Sequence, residues 1–216
     1  QLVDSFHYLG GPAPLYVSPH NPTQYYVGNS TFINQLQFIA GIETEPFQPV
    51  QAVAQGVFHV PGTGATRGIR FKSDGTELYG LDTVGNIYQH SLSIPWTPEV
   101  NLVGSITTTE ITSTRGFCFS PDGTKMFVCG IPNGGINIAQ YNLGTAWDIT
   151  TAVYSVGFNT SAQVVTINEV FISPDGTKMV VLGDSTFDIL YQYTLNTPWD
   201  VTTAVYDSVS HNPIYL

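Results

Sequence analysis

The sequence predicts an all-β protein built from four tandem copies of one four-stranded unit of about 50 residues, with little or no helix. Three markers, all in register, carry that reading. Phe71-Lys72-Ser73-Asp74-Gly75-Thr76, Phe119-Ser120-Pro121-Asp122-Gly123-Thr124 and Ile172-Ser173-Pro174-Asp175-Gly176-Thr177 nearly superimpose, and Val17-Ser18-Pro19-His20-Asn21 is a degenerate copy ahead of them. The second residues of these segments are 54, 48 and 53 positions apart. Pro46-Phe47, Pro95-Trp96, Ala146-Trp147 and Pro198-Trp199 recur at steps of 49, 51 and 52, and Gln35, Gln89, Gln140 and Gln192 at steps of 54, 51 and 52.

Within a unit the elements follow in order. A first strand, as in Gly116-Phe117-Cys118-Phe119, ends in the Pro-Asp-Gly turn. There Pro fixes φ, Asp bonds its own backbone, and Gly accepts a positive φ. The second strand, Lys125–Cys129 or Lys178–Leu182, is apolar on consecutive residues. A strand of that kind must be covered on both faces. The third strand, Ile136–Tyr141 or Ile189–Tyr193, alternates better, and the fourth follows the aromatic corner at Thr151–Tyr154 and Thr203–Tyr206. Four-stranded antiparallel units covered on both faces by their neighbours are the blades of a β-propeller. The blades fall at about 12–60, 66–108, 114–158 and 168–210 of a single domain, with spare strands at 1–8 and 212–216.

Ala13-Pro14-Leu15-Tyr16-Val17 resembles Asn212-Pro213-Ile214-Tyr215-Leu216 at an offset of 199. Three arrangements accommodate that echo: a closed four-bladed ring zipped by a spare strand, part of a ring of roughly six to eight blades, or chains that complete one another's blades. The sequence opens on Gln1, as after processing, after excision from something larger, or where a sequence is written incompletely.

The Ser-Pro-Asp-Gly-Thr-Lys turns at 120–125 and 173–178 and the Thr-Pro-Trp-Asp corner at 197–200 resemble a type of β-propeller repeat. Such repeats are found in bacteriophage structural proteins, marine ones especially, and in secreted bacterial surface proteins. The resemblance covers about residues 12–216. It implies the fold, and a place on a virion or in the extracellular space; blades of this kind serve many roles.

Composition narrows the partners. Charged residues are 10 % of the chain and aromatics 12 %, which excludes a disordered chain and a coiled coil. Sixteen acids against six bases leave a net charge of −10, which repels nucleic acid and anionic membranes. No apolar run approaches the roughly 20 residues of a spanning helix, so no membrane insertion is expected. Cys118 and Cys129 flank one hairpin turn, diagonal across paired strands, and are expected as two buried free thiols.

Each candidate site has a structural alternative. Phe47, Trp96, Trp147 and Trp199 hold a constant place in each blade, as core rings do rather than a sugar ladder. The repeated Gln is expected to tie backbone groups of neighbouring strands or blades. Asp74, Asp122 and Asp175 read as turn residues, since they lie on different blades without the alternating acids of a calcium loop. The entries to the first strands line the channel mouth of a propeller. There Arg67, Arg115 and Glu169 form either a salt-bridged plug or a pocket for an anionic ligand. His7, His20, His59, His90 and His211 are scattered, and no nucleophile elbow, zinc helix or phosphate loop is present. No catalytic residue, metal or cofactor is therefore expected. Asn29-Ser30-Thr31 and Asn159-Thr160-Ser161 match the N-glycosylation pattern.

The expected function is a non-enzymatic binding or structural module, recognising a surface glycan or protein, or its own copies through the terminal strands. The contact surface is expected on the loops at 83–86, 131–135 and 158–167. The alternatives are a secreted lyase or hydrolase that holds an anionic substrate at the channel mouth, and a self-assembling structural protein.

Overall fold

A computed structural model describes residues 65–97, 100–184 and 189–211, and in the N-terminal portion the backbone of four strands. The chain forms four antiparallel four-stranded sheets in series. The first holds β1 (Leu15–Val17), β2 (Gln24–Gly28), β3 (Phe32–Phe38) and β4 (Ala52–His59). The second holds β5 (Thr66–Phe71), β6 (Glu77–Asp82), β7 (Asn86–Leu92) and β8 (Val100–Thr107). In the third are β9 (Ile111–Phe119), β10 (Lys125–Asn133), β11 (Ile136–Leu143) and β12 (Ala152–Phe158). The fourth is β13 (Ile167–Ile172), β14 (Lys178–Gly183), β15 (Leu190–Leu195) and β16 (Ala204–His211). Every sheet is a simple meander, and the architecture is that of a β-propeller. The helical content among the described residues is two short 3-10 turns, Ile149–Thr151 and Val201–Thr203, so Thr151 and Thr203 precede the fourth strands instead of opening them. The degenerate turn at 18–21, the glycosylation pattern at 29–31, Phe47, and the spare strands at 1–8 and 212–216 lie outside the described residues.

The Asp-Gly turn and the Trp corner of each unit are one piece of structure. Gly75, Gly123 and Gly176 have φ of 74°, 72° and 74°, as the turn requires. Trp96, Trp147 and Trp199 also sit at positive φ, between 62° and 67°, a conformation that bulky residues adopt only when their surroundings impose it. What imposes it is a bond from each Trp N–H to the turn glycine's carbonyl, at 3.0, 2.9 and 3.0 Å. The indole then lies over that glycine, where any Cβ would overlap it. Asp122 accepts bonds from the Thr124 N–H and the Ser120 hydroxyl, and these hold its carboxyl below the usual range.

Neighbouring sheets pack face to face. Phe127, Cys129 and Ile138 of the third sheet share a core with Ile167, Val170, Met179 and Val181 of the fourth. Tyr79, Leu81 and Ile87 of the second meet Phe117, Met126, Val128 and Ile149 of the third. Ile138, Ala139, Gln140 and Tyr141 are buried in succession, so β11 does not alternate as its sequence predicts. A strand covered on both sides buries residues of either parity. The repeated Gln fastens these faces together. Gln89 Oε1 accepts the Ile149 N–H of the next sheet at 3.0 Å, and Gln140 Oε1 accepts that of Val201 at 3.2 Å.

Candidate functional site

The meander sorts the connections between the two ends of the sheets. Each first strand enters from the end where the loops after the second and fourth strands lie. The Asp-Gly turns and Trp corners lie at the other end. One end therefore carries the Asp-Gly turns with their Trp corners, and the other gathers the connections at 83–85, 108–110, 134–135 and 159–166, so Ile131–Asn133 of the expected loop at 131–135 belong to β10. The connections are tied to one another and to the strand ends: Thr108 N–H to Gly85 O at 2.8 Å, Asn133 Nδ2 of β10 to Thr109 O at 3.0 Å, and Thr160 N–H to Asn137 Oδ1 of β11 at 3.0 Å.

At the mouth of the inner strands, β5, β9 and β13 each carry a bulge. The ladder steps from Thr66 to Gly68, from Thr114 to Gly116 and from Ile167 to Glu169. The residues left out of pairing are Arg67, Arg115 and Asn168. Bulges re-aim side chains, and here they set three polar side chains at one level of the mouth. Arg115 Nη1 donates to Asn168 Oδ1 at 2.6 Å and to Asp184 Oδ2 at 2.7 Å, both in the fourth sheet. Arg115 Nε is buried without a partner. Arg67 is exposed.

Glu169 stands one residue further along, level with Gly68 and Gly116. It pairs with Arg70 of the second sheet at 2.6 Å, and Arg70 crosses the Phe117 ring of the third at 5.4 Å. Gly116 leaves room for this carboxylate, since a Cβ there would crowd Glu169 Oε1 and Asn168 O. The expected trio of Arg67, Arg115 and Glu169 is thus not one cluster: Arg115 and Glu169 belong to separate ion pairs. Sequence reasoning missed Asn168 and Asp184 and gave Arg70 no partner. Asn168 is recoverable by counting back five residues from the turn Ser, which aligns it with Arg67 and Arg115.

The remaining titratable groups at the inner strands are closed off. Cys118 and Cys129 are unbridged, and burial pushes the Cys118 thiol up to about 12 and that of Cys129 well above its ordinary value. Neither is a thiolate nucleophile at neutral pH. Asp82 is buried but satisfied by the N–H groups of Val84 and Asn86 and by the Asn86 amide. Among the described residues, no three His, Cys, Asp or Glu side chains gather as metal ligands.

No protein-family model matches the chain, and no curated protein matches its sequence. Solved structures do match in fold. A "putative 6-phosphogluconolactonase" from Bacteroides fragilis aligns with 92 % of this chain and 54 % of its own at a TM-score of 0.64 and 14 % identity. A protein from Lactobacillus plantarum aligns with 97 % of this chain and 60 % of its own, with a TM-score of 0.64 and 15 % identity. The β-propeller domain of Cps50 (Swd1) from Myceliophteria thermophila aligns with 93 % and 60 %, at 0.54 and 16 % identity. The chain spans a little over half the length of the structures it matches, and the likeness is one of fold.

Proposed function

We propose that this propeller is a non-enzymatic binding or structural module of a virion or the extracellular space, meeting a surface glycan or protein with its loop end. The observation that carries the reading is the division of the two ends. The Asp-Gly turns and Trp corners occupy one, while the other presents polar loops on a rigid frame, where binding usually resides. The described charges of the mouth support it as well, since Arg70, Glu169, Arg115 and Asp184 hold sheets together. The Ser-Pro-Asp-Gly-Thr-Lys repeat type and the low charge support a virion or extracellular setting. A glycan array and a pull-down from a candidate host surface test this. Binding that falls in Thr109→Ala with Asn133→Ala, both exposed at the loop end, supports it, and silence in both assays counts against it.

The second reading is an enzyme that holds an anionic substrate at Arg67 and Arg115. What favours it is that two matching structures carry the name "putative 6-phosphogluconolactonase", while Cps50 is named only as a propeller domain. Arg67→Ala with Arg115→Ala separates the readings. Lost turnover at an unchanged melting temperature supports the enzyme, and lost stability supports the ion-pair plug.

A further inference from the structure

The chain carries one Asn-Gly step, Asn133-Gly134, and three Asp-Gly steps, Asp74-Gly75, Asp122-Gly123 and Asp175-Gly176. All four offer the same intramolecular reaction. The glycine nitrogen stands within reach of the preceding side-chain carbonyl carbon, and closing that bond makes a five-membered succinimide that no glycine side chain obstructs. The structure treats the steps differently. In the Asp-Gly turns the glycine N–H donates to the carbonyl of Lys72, Ser120 or Ser173, at 2.8, 2.9 and 2.7 Å. A Trp indole lies over each of these glycines. Each aspartate in turn accepts the N–H of Thr76, Thr124 or Thr177. Nucleophile and electrophile are thus both held apart from the reaction. Asn133 instead ends β10 and pairs with Ile136 across a two-residue turn. Gly134 and Gly135 have φ of 58° and 87°, the type I′ pattern. Asn133 and Gly134 are exposed. The Gly134 N–H donates to no group among the described residues, and nothing lies within 4 Å of where its Cβ would stand.

We propose that Asn133 is a self-modification site, at which attack by the Gly134 nitrogen turns the exposed amide into a carboxylate without an enzyme. The Gly134 nitrogen gives its proton to solvent base and bonds to Asn133 Cγ. The bond from Cγ to Nδ2 breaks, and Nδ2 leaves as ammonia. Water then opens the ring at either carbonyl, giving aspartate or isoaspartate, so the product has gained one water and lost one ammonia. The change alters a contact as well as a charge. Asn133 Nδ2 donates to Thr109 O at 3.0 Å, and a carboxylate, which only accepts at neutral pH, cannot make that bond. Glu110, whose carboxyl takes the Thr109 N–H at 3.1 Å, adds a like charge on the same connection. The tie between the connection at 108–110 and the β10–β11 hairpin is therefore released. This lies at the loop end, and it holds whatever that end binds.

The test incubates the full chain, folded and in urea, at several pH values, and follows peptide masses and enzymatic labelling of isoaspartate. In the folded chain Asn133 should convert, about tenfold more slowly for each unit the pH is lowered, because the attacking amide must lose its proton. Asp74, Asp122 and Asp175 should gain isoaspartate at least about tenfold more slowly in the folded chain than in urea. Gly134→Ala should slow conversion of Asn133 by about tenfold or more, since its methyl obstructs ring closure. Should that variant not fold, Asn133→Gln decides: it keeps the amide but must close a larger ring, and the modified peptide should disappear. Amide hydrogen exchange at Thr109 and Glu110 should be about tenfold faster in the converted chain and in Asn133→Asp than in the parent. Asn133 left intact in the folded chain while it converts in urea overturns the proposal. So does isoaspartate that arises in the folded Asp-Gly turns as fast as at Asn133. Equal exchange in the parent, the converted chain and Asn133→Asp contradicts the release of the tie.

Discussion

Arg70 and Glu169 meet at 2.6 Å although a whole unit of the chain lies between theirs, the guanidinium passing over Phe117 of the sheet between. One ion pair thereby ties the second, third and fourth sheets near their common inner edge. Side chains that read in sequence as a ligand pocket act here as fasteners.

The Gln series fastens the same faces further out. Gln140→Ala strips the buried Val201 N–H of its acceptor, and an orphaned buried donor costs about 1–3 kcal/mol. Urea unfolding should show a lower midpoint at an unchanged slope. Gln192→Ala, whose Oε1 accepts no backbone N–H among the described residues, should cost less.

Gly123→Ala combines two penalties: a Cβ at φ of 72° and an overlap with the Trp147 indole. A loss of about 2–4 kcal/mol is expected in thermal or urea unfolding. Gly134, also at positive φ but with open space around its Cβ position, should lose only about 1 kcal/mol on the same change.

His90 is 1 % exposed, stands where the third and fourth sheets have Tyr141 and Tyr193, and lies beside the Leu78 backbone with neither ring nitrogen satisfied. Burial lowers its pKa below the ordinary histidine value. The unfolded chain then takes up a proton at a higher pH than the folded one. Stability is retained above about pH 6.5 and falls as the pH drops below it. His90→Phe should flatten that dependence, seen as a smaller difference in urea midpoint between pH 7.5 and pH 5 than in the parent.

Asp207 moves the other way. Bonds from the Thr194 hydroxyl, the Gln192 amide and Lys178 hold its carboxyl down, to about 2. The stability it contributes is present above the ordinary carboxylate range and is lost as the pH falls toward 2. Asp207→Asn should remove that part of the acid sensitivity, read by unfolding between pH 5 and pH 2.

The sheets were legible because each unit repeats the chemistry of its joints: Pro-Asp-Gly at the turn, Trp at the corner, Gln on the inner face. The left-handed backbone of the tryptophans was not, since no residue preference announces it and it arises from a bond to a glycine some twenty residues earlier. The alignment of the inner strands was legible by counting: Glu169 lies four residues before its turn Ser, whereas Arg67, Arg115 and Asn168 each lie five before the matching position, and the bulge in each inner strand sets those three at one level. Arg70 lies beyond that offset, and its partner two sheets away is a matter of curvature that sequence spacing does not encode.

A double-mutant cycle on Arg70→Ala and Glu169→Ala, read by urea unfolding, tests most directly whether the inner-edge charges are fasteners. Both groups are partly exposed, so a coupling of about 0.5–2 kcal/mol is predicted, shrinking in high salt. Strictly additive losses, or single variants as stable as the parent, would contradict it.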